Sequence, residues 1–173
     1  MAEDGDHVDR FLARIDAAGV QLDLEVEGIV DRISGINRRI RNSQKETLVD
    51  YGLTPEDWSV LSSLRLRKQG RLTSPGALAR DLELSSGAMT SRLDRLEEMG
   101  LIRRHRDSED RRAVQIELTP AGRVAWDDAA GVQGRKEAFF ASALTGKEQI
   151  QLNALLRKLM RAFEAAEGGK TEK

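Results

Sequence analysis

Apolar residues recur at helical spacing near the middle of the chain and then alternate with polar residues. The helical set is Met89, Leu93, Leu96 and Met99, which predicts a helix with one buried face. Ser85 can cap the start of this helix, and Gly100 can end it in a left-handed conformation. Further along, Val114, Ile116 and Leu118 alternate with polar residues, which predicts a half-buried strand.

A charged hairpin is predicted between Ile102 and that strand. Residues 103–112 contain five arginines, one histidine and three acids, and no apolar residue. A helix followed by an arginine-bearing hairpin indicates a recognition helix and a wing. The pattern therefore favours DNA binding.

Two shorter helices are predicted upstream of the recognition helix. Thr54 and Ser74 are each followed by proline, which combines a capping side chain with a residue suited to the first helical position. A tight turn at Glu83–Leu84 leads into Ser85, so the segments form a helix-turn-helix. The expected buried positions are Trp58, Leu61, Leu64 and Leu66 in the first helix and Leu78, Ala79 and Leu82 in the second.

The N-terminal part carries a heptad pattern. A short amphipathic helix over residues 6–17 is either a packing arm or a ligand gate. Behind it, apolar residues follow the spacing 4, 3, 4, 3, 4, which is the seam of a helix that needs a partner helix. The partner is either another helix of this chain or a second chain, and the second chain is favoured. The seam residues are Leu22, Val26, Ile29, Ile33, Ile36 and Ile40.

The C-terminal part offers a second apolar stripe. Thr119–Pro120 begins a helix weakened by three glycines, and Thr145 with Glu148 forms a capping box for the last helix. Two exposed stripes on one small chain would be a liability in a monomer, which favours a homodimer. The stripe of the last helix is Leu152, Leu155, Leu156, Leu159, Met160 and Phe163.

Composition changes this picture little. The 173 residues are 33% charged with a net charge of −1, so the chain as a whole does not resemble a basic nucleic-acid-binding protein. The charges are polarised, however, with arginines in the predicted helix-turn-helix and hairpin and acids near the N-terminus. The absence of cysteine excludes disulfides and thiolate metal sites, and two distant histidines favour no metal or other cofactor. The sequence shows no membrane span or signal peptide, so we expect a cytoplasmic protein.

No constellation of catalytic residues is found, and we expect that the protein is not an enzyme. Neighbouring acids such as Glu97 and Glu98 point in different directions on a helix, so they do not make a general acid–base pair. Two hypotheses remain open. The protein is either a ligand-responsive regulator of transcription or an effector-free, architectural winged-helix protein.

The segments LTPEDWSVL and SRLDRLEEMGLIRRHRDSEDRRAVQIELTPAG closely resemble the MarR family of dimeric winged-helix transcription regulators. The resemblance covers about residues 22–163. It implies a mainly α-helical fold with a small β-wing, which is an α+β winged helix-turn-helix with a helical dimerisation platform. The platform would comprise residues 6–50 and 120–167, and the DNA-binding lobe residues 54–118, within a single domain over residues 1–173.

The resemblance also assigns expected DNA contacts. In the wing, the family's minor-groove arginine falls on Arg112 with Arg111 beside it, and Asp110 falls on the acid that braces the wing. The first turns of the major-groove helix fall on Ser86, Gly87, Thr90, Ser91 and Arg92, and Arg95 is grouped with them. Two alternatives stay open. Arg92 and Arg95 could pair with Asp94, Glu97 or Glu98 on a solvated face, and Arg111 could be wholly solvated.

An effector site is expected where family members bind small aromatic or carboxylate ligands. Trp58 and Arg39 are the candidate ligand-binding residues, although a tryptophan here is more often part of the core. The extra N-terminal helix resembles the urate-responsive branch, but that branch has an acid after the tryptophan where this chain has Ser59. The implied function is a homodimeric repressor that binds a pseudo-palindromic operator and is released by a small aromatic or anionic ligand.

Overall fold

The computed structural model describes residues 5–67, 72–106 and 114–168. This part of the chain is mainly helical and carries one two-stranded sheet. It divides into two compact units, residues 1–133 and 134–173. The elements are α1 (His7–Ala17), α2 (Leu24–Val49), α3 (Pro55–Arg65), α4 (Pro75–Asp81), α5 (Ser86–Glu98), β1 (Ile102–Arg106), β2 (Val114–Leu118), α6 (Pro120–Ala141) and α7 (Gly146–Gly168).

Helix α1 packs against α2 through a stripe that differs from the heptad seam. A Cβ atom at Gly28 would lie 3.3 Å from Leu12, and one at Gly35 would lie 3.7 Å from His7. Arg32, between these glycines, pairs with Asp6 at 3.0 Å and with Asp9 at 2.5 Å. Since residues advance by about 100° around a helix, this stripe lies roughly 100° away from the seam. The seam itself remains exposed.

Local capping fixes the starts of helices α3, α4 and α5. Thr54 and Asp57 form a capping box at the start of α3, and Ser74 and Ser85 each accept a backbone N–H of the helix that follows. Glu83 has a positive φ of 54° in the turn between α4 and α5. The core beneath these helices includes Leu61, Leu78, Met89, Leu93 and Leu96.

Strands β1 and β2 form an antiparallel pair in which Arg104 lies opposite Ile116. Thr73 bridges to Ile116 from the other side of β2. Ile116 and Leu118 are buried, as the alternating pattern predicts. The pair therefore covers one side of this core.

Helix α6 approaches Leu101, the residue before β1, so closely that only glycine fits at its first turn. A Cβ atom at Gly122 would lie 2.0 Å from the carbonyl oxygen of Leu101. Thr119 caps this turn by accepting the Gly122 N–H at 3.0 Å and donating to the Gly100 carbonyl at 2.8 Å. The glycine that weakens α6 as an isolated helix is thus the residue that lets it pack.

The second unit contains α7 and the end of α6. The capping box predicted for α7 is present, since Thr145 N–H donates to Glu148 at 2.7 Å and Glu148 N–H donates to the Thr145 hydroxyl at 3.4 Å. No residue of α7 is buried. The predicted stripe, from Leu152 to Phe163, is exposed along its length.

Two residues predicted to be buried are exposed. Met99 is 37% exposed and Leu66 is 73% exposed. Each is the C-cap of its helix, where the chain turns away and the helical spacing no longer sets the direction of a side chain.

Candidate DNA-binding surface

Helix α5 exposes its first turns in a way that suits close approach of a ligand. An open concavity of about 630 Å³ runs along this face. The side chains at its N-terminal end are small, and Thr90 directs its hydroxyl to the Ser86 carbonyl at 2.9 Å. Residues lining it are Ser86, Gly87, Thr90, Ser91, Asp94, Arg95 and Glu98. Five of the six α5 residues predicted to contact DNA therefore share one accessible surface, while Arg92 is directed elsewhere.

Arg92 and Arg95 turn from α5 toward the N-terminus of α3. Arg95 donates from Nε to Asp57 at 3.2 Å and from Nη2 to the Gly52 carbonyl at 2.7 Å. Arg92 Nη1 lies 3.4 Å from the Thr54 hydroxyl and 3.6 Å from Asp57 Oδ1. The alternative in which these arginines pair with acids on α5 itself is wrong. Their partners come from α3 and the residues just before it.

Glu56 extends this acidic cluster at the start of α3. Its Oε2 atom lies 3.7 Å from Arg92. Its own backbone N–H, the Thr54 hydroxyl and the Arg92 charge hold the pKa of this carboxyl below its usual value. Glu56 is therefore ionised at neutral pH, and it adds to the negative charge that faces Arg92.

The acids of α5 pair in the opposite direction, with the wing. Arg104 of β1 reaches Asp94 at 2.6 Å and Glu97 at 3.1 Å through the same Nη1 atom. Its backbone N–H also donates to Glu97 at 3.0 Å. The recognition helix is thus clamped to α3 by its arginines and to the wing by its acids. Each clamp neutralises charge beside the concavity.

The wing-tip residues predicted to contact DNA, Asp110, Arg111 and Arg112, lie outside the described residues. Across the base of the wing, His105 Nε2 lies 2.7 Å from Glu117. For the wing, the structure describes the two strands, β1 and β2, and their position beside α5.

The two candidate effector residues contact different partners. Trp58 stacks on Trp126 with ring centroids 5.3 Å apart, and Arg65 lies 5.5 Å above the Trp126 ring. Arg39 donates to the Gly35 carbonyl within α2 at 3.1 Å. One face of the Trp58 ring is therefore already covered by protein, so a ligand would have to use its other face or part the stack.

Neither a metal site nor a membrane span is found in the part of the chain that the structure describes. No group of three or more histidines, aspartates or glutamates there could hold a metal ion. The described helices are too short or too polar to cross a membrane.

Comparison with known proteins identifies the family of this chain. Residues 53–114 match the MarR family. The chain is 31% identical over 137 residues to the HTH-type transcriptional repressor MdtR of Bacillus subtilis strain 168, which covers 78% of this chain and 85% of MdtR. The chain belongs to the MarR family.

Two further proteins are similar to this chain along most of its length. The HTH-type transcriptional regulator PecS of Dickeya dadantii strain 3937 is 29% identical over 138 residues, covering 80% of this chain and 83% of PecS. The crystal structure of YusO from Bacillus subtilis superposes with a TM-score of 0.70 at 27% identity, covering 82% of this chain and 99% of YusO. This MarR-family chain is therefore a winged-helix, DNA-binding transcriptional regulator and not an enzyme.

Two functional features of this MarR-family lobe escaped sequence reasoning. The sequence pattern does not reveal that the carboxylate of Asp57 is fully buried between two arginines of α5. Arg104 was interpreted only as part of a charged hairpin, but it ties β1 to α5. The one sequence signal for Asp57 was its place three residues after Thr54, where a capping-box acid belongs.

Proposed function

We propose that the protein is a homodimeric repressor that binds a pseudo-palindromic operator and releases it when a small aromatic or anionic ligand binds. The observation that carries this proposal is that one chain has both an open face of small residues on α5 and two long helices, α2 and α7, with exposed apolar stripes. The face of α5 suits DNA. The apolar stripes suit a second copy of the chain.

The dimer follows from the exposed apolar surface. On α2, Val26 and Ile36 are 50% and 56% exposed although they belong to a regular heptad seam. On α7, the stripe ends at Phe163, which is also exposed. Contiguous apolar surface of this kind on a small protein marks an interaction site, and the heptad spacing suits a helix. Such a surface supports assembly through the helical ends of the chain.

The operator symmetry follows from the dimer. A two-fold pair of α5 helices needs half-sites about one helical turn apart, roughly 10–10.5 base pairs from centre to centre. The repressor role is supported by MdtR, which is named a repressor and matches most of this chain. Binding at the operator would then exclude other proteins from the same DNA.

The ligand part of the proposal is supported by the position of Trp58. Its ring stacks on α6 while its backbone lies in α3, beside the residues that hold Arg92 and Arg95. A ligand that parts the stack would disturb the α3 surface on which α5 rests. A coupling of about 1–3 kcal/mol would change operator affinity roughly 5- to 150-fold. The competing candidate is an effector-free winged-helix protein with the same DNA surface.

Footprinting on the DNA upstream of the protein's own gene tests the DNA-binding part. We expect a protected region with two-fold symmetry, and protection of one asymmetric half-site would contradict the proposal.

Sedimentation at micromolar concentration tests assembly. Ile36→Glu should give a monomer, whereas Ser34→Glu, at an exposed position off the seam, should leave a dimer.

Arg112→Ala tests the wing. The variant should bind the operator more weakly, and its salt dependence should flatten by roughly one counterion. The dimer should persist. An unchanged affinity and salt slope would show that Arg112 is only a solvated residue.

A ligand screen tests release. Trp58 emission can be followed alone in a Trp126→Phe variant while small aromatic acids are added to the DNA complex. We expect one compound class both to change Trp58 emission and to release DNA. If no compound in a broad screen does both, the effector-free alternative is the better description.

A further inference from the structure

The carboxylate of Asp57 is buried completely beneath the recognition helix. None of its side-chain surface is exposed, whereas its partners Arg92 and Arg95 are 32% and 48% exposed. Its Oδ2 atom accepts the Thr54 N–H at 3.0 Å and Arg95 Nε at 3.2 Å. Its Oδ1 atom faces Arg92 at 3.6 Å and makes no hydrogen bond within the described residues.

Capping alone does not explain this burial. Asp9 holds the same place in the capping box of α1 and also pairs with an arginine of another helix, yet its side chain is 47% exposed. Burying a carboxylate costs several kcal/mol unless opposite charge and hydrogen bonds compensate it. In α3 the compensation comes from two arginines of α5. Asp57 therefore caps α3 and also holds two arginines of α5.

The hold on Arg95 leaves a defined part of its guanidinium for DNA. An arginine has five N–H groups. In Arg95, one at Nε is directed to Asp57 and one at Nη2 to the Gly52 carbonyl. The remaining groups belong to a side chain that lines the concavity beside Ser91. A guanidinium fixed at two points loses less freedom when it contacts a phosphate, so its contact depends on where the phosphate lies.

We propose that Asp57 is a positioning residue for DNA selectivity, which holds Arg95 so that it reaches a backbone phosphate only when α5 is in register with its operator. The inference rests on the proposed function. Asp57 also offsets part of the charge of both arginines, which limits their attraction to unrelated DNA. Releasing them strengthens sequence-independent binding relative to operator binding.

The test uses Asp57→Asn in the full-length protein. Its affinity is measured for a duplex enriched by the wild-type protein from a random library and for a scrambled duplex of equal length, over a salt series. We expect the ratio of operator to scrambled affinity to fall about tenfold. The salt dependence on scrambled DNA should steepen by up to roughly two counterions, because two arginines are freed.

Asp9→Asn is the matched control, since it makes the same substitution at the same capping position with the same kind of partner. It should leave the affinity ratio unchanged. A combined Asp57→Asn and Arg95→Gln variant separates positioning from folding. In the Arg95→Gln background, the effect of Asp57→Asn on the ratio should shrink to the part that comes from releasing Arg92, whereas a purely structural role would give the same effect in both backgrounds.

The other possible results of these experiments also test the inference about Asp57. A folded Asp57→Asn variant with an unchanged ratio overturns the inference and leaves the proposed function intact, whereas a wild-type protein that enriches no duplex overturns both. If Asp57→Asn does not fold, Arg95→Lys replaces it. Lysine keeps the charge but loses the two-point hold, so the ratio must fall, and an unchanged ratio overturns the inference.

Discussion

The indole rings of Trp58 and Trp126 stack with their centroids 5.3 Å apart and their planes 5° from parallel, which joins α3 to α6. The Trp126 Nε1 also donates to Ser62 of α3 at 2.8 Å. We expect Trp126→Ala to lower the free energy of unfolding by roughly 2–3 kcal/mol, less than for a fully buried tryptophan. Urea unfolding measures this change. Arg123→Ala, at an exposed position of α6, should stay within about 0.5 kcal/mol of the wild type.

The Arg104 clamp should matter for DNA affinity more than for folding. In Arg104→Ala, Asp94 and Glu97 lose their counter-charge beside the concavity of α5 and repel phosphates. Operator affinity should fall on the order of tenfold, or about 1.4 kcal/mol. Fluorescence anisotropy with a labelled duplex measures it. Adding Asp94→Asn should restore part of the affinity, and a combined variant as weak as Arg104→Ala would argue against repulsion.

Gly122 should be irreplaceable where α6 meets Leu101. A methyl group there would meet the Leu101 carbonyl oxygen, which is backbone and cannot turn aside. Gly122→Ala should therefore destabilise the protein by at least about 2 kcal/mol in denaturant unfolding. Gly134→Ala in the same helix has nothing within 4 Å of the added methyl group, and it should stabilise the protein by about 0.5–1 kcal/mol. Equal effects of the two substitutions would contradict this view of the close approach.

The docking of α1 should depend on pH through Asp6. The Asp9 backbone N–H and the Arg32 side chain hold the pKa of Asp6 below its usual 3.8. The resulting stability is present in full above the unfolded pKa and is lost as the pH falls through the lower folded pKa. An NMR titration should show the pKa of Asp6 moving upward in Arg32→Gln, but only part of the way, because the Asp9 N–H remains. No movement would mean that Arg32 does not hold α1 through this carboxylate.

Local signals in the sequence predicted the local structure well. Thr54, Ser74, Ser85 and Gly100 begin or end their helices as predicted, since capping and a left-handed turn depend on residues only a few positions apart. Met99 was predicted wrongly because helical spacing was extended through a helix end. The same short-range pattern indicated a recognition helix and a wing, and the resemblance of the segments around them indicated the MarR family.

The charge network could not be predicted in the same way. Asp57 and Arg95 are 38 residues apart in sequence, and their contact depends on how α3 and α5 pack. The acids next to Arg95 on its own helix made a local pairing the simplest alternative, and packing overrode it. The wing-tip assignments of Arg111 and Arg112, the ligand roles of Trp58 and Arg39, and the division into platform and lobe stay predictions.

Helix α7 buries no residue within its own unit, and in the proposed homodimer only an encounter between two chains covers its stripe. The concentration of the dimer, which is the DNA-binding form in this proposal, then follows from mass action. Where most chains are unpaired, halving their number reduces the dimers about fourfold rather than twofold. Repression would respond steeply to the dosage of the regulator's own gene, even with no cooperativity between operators.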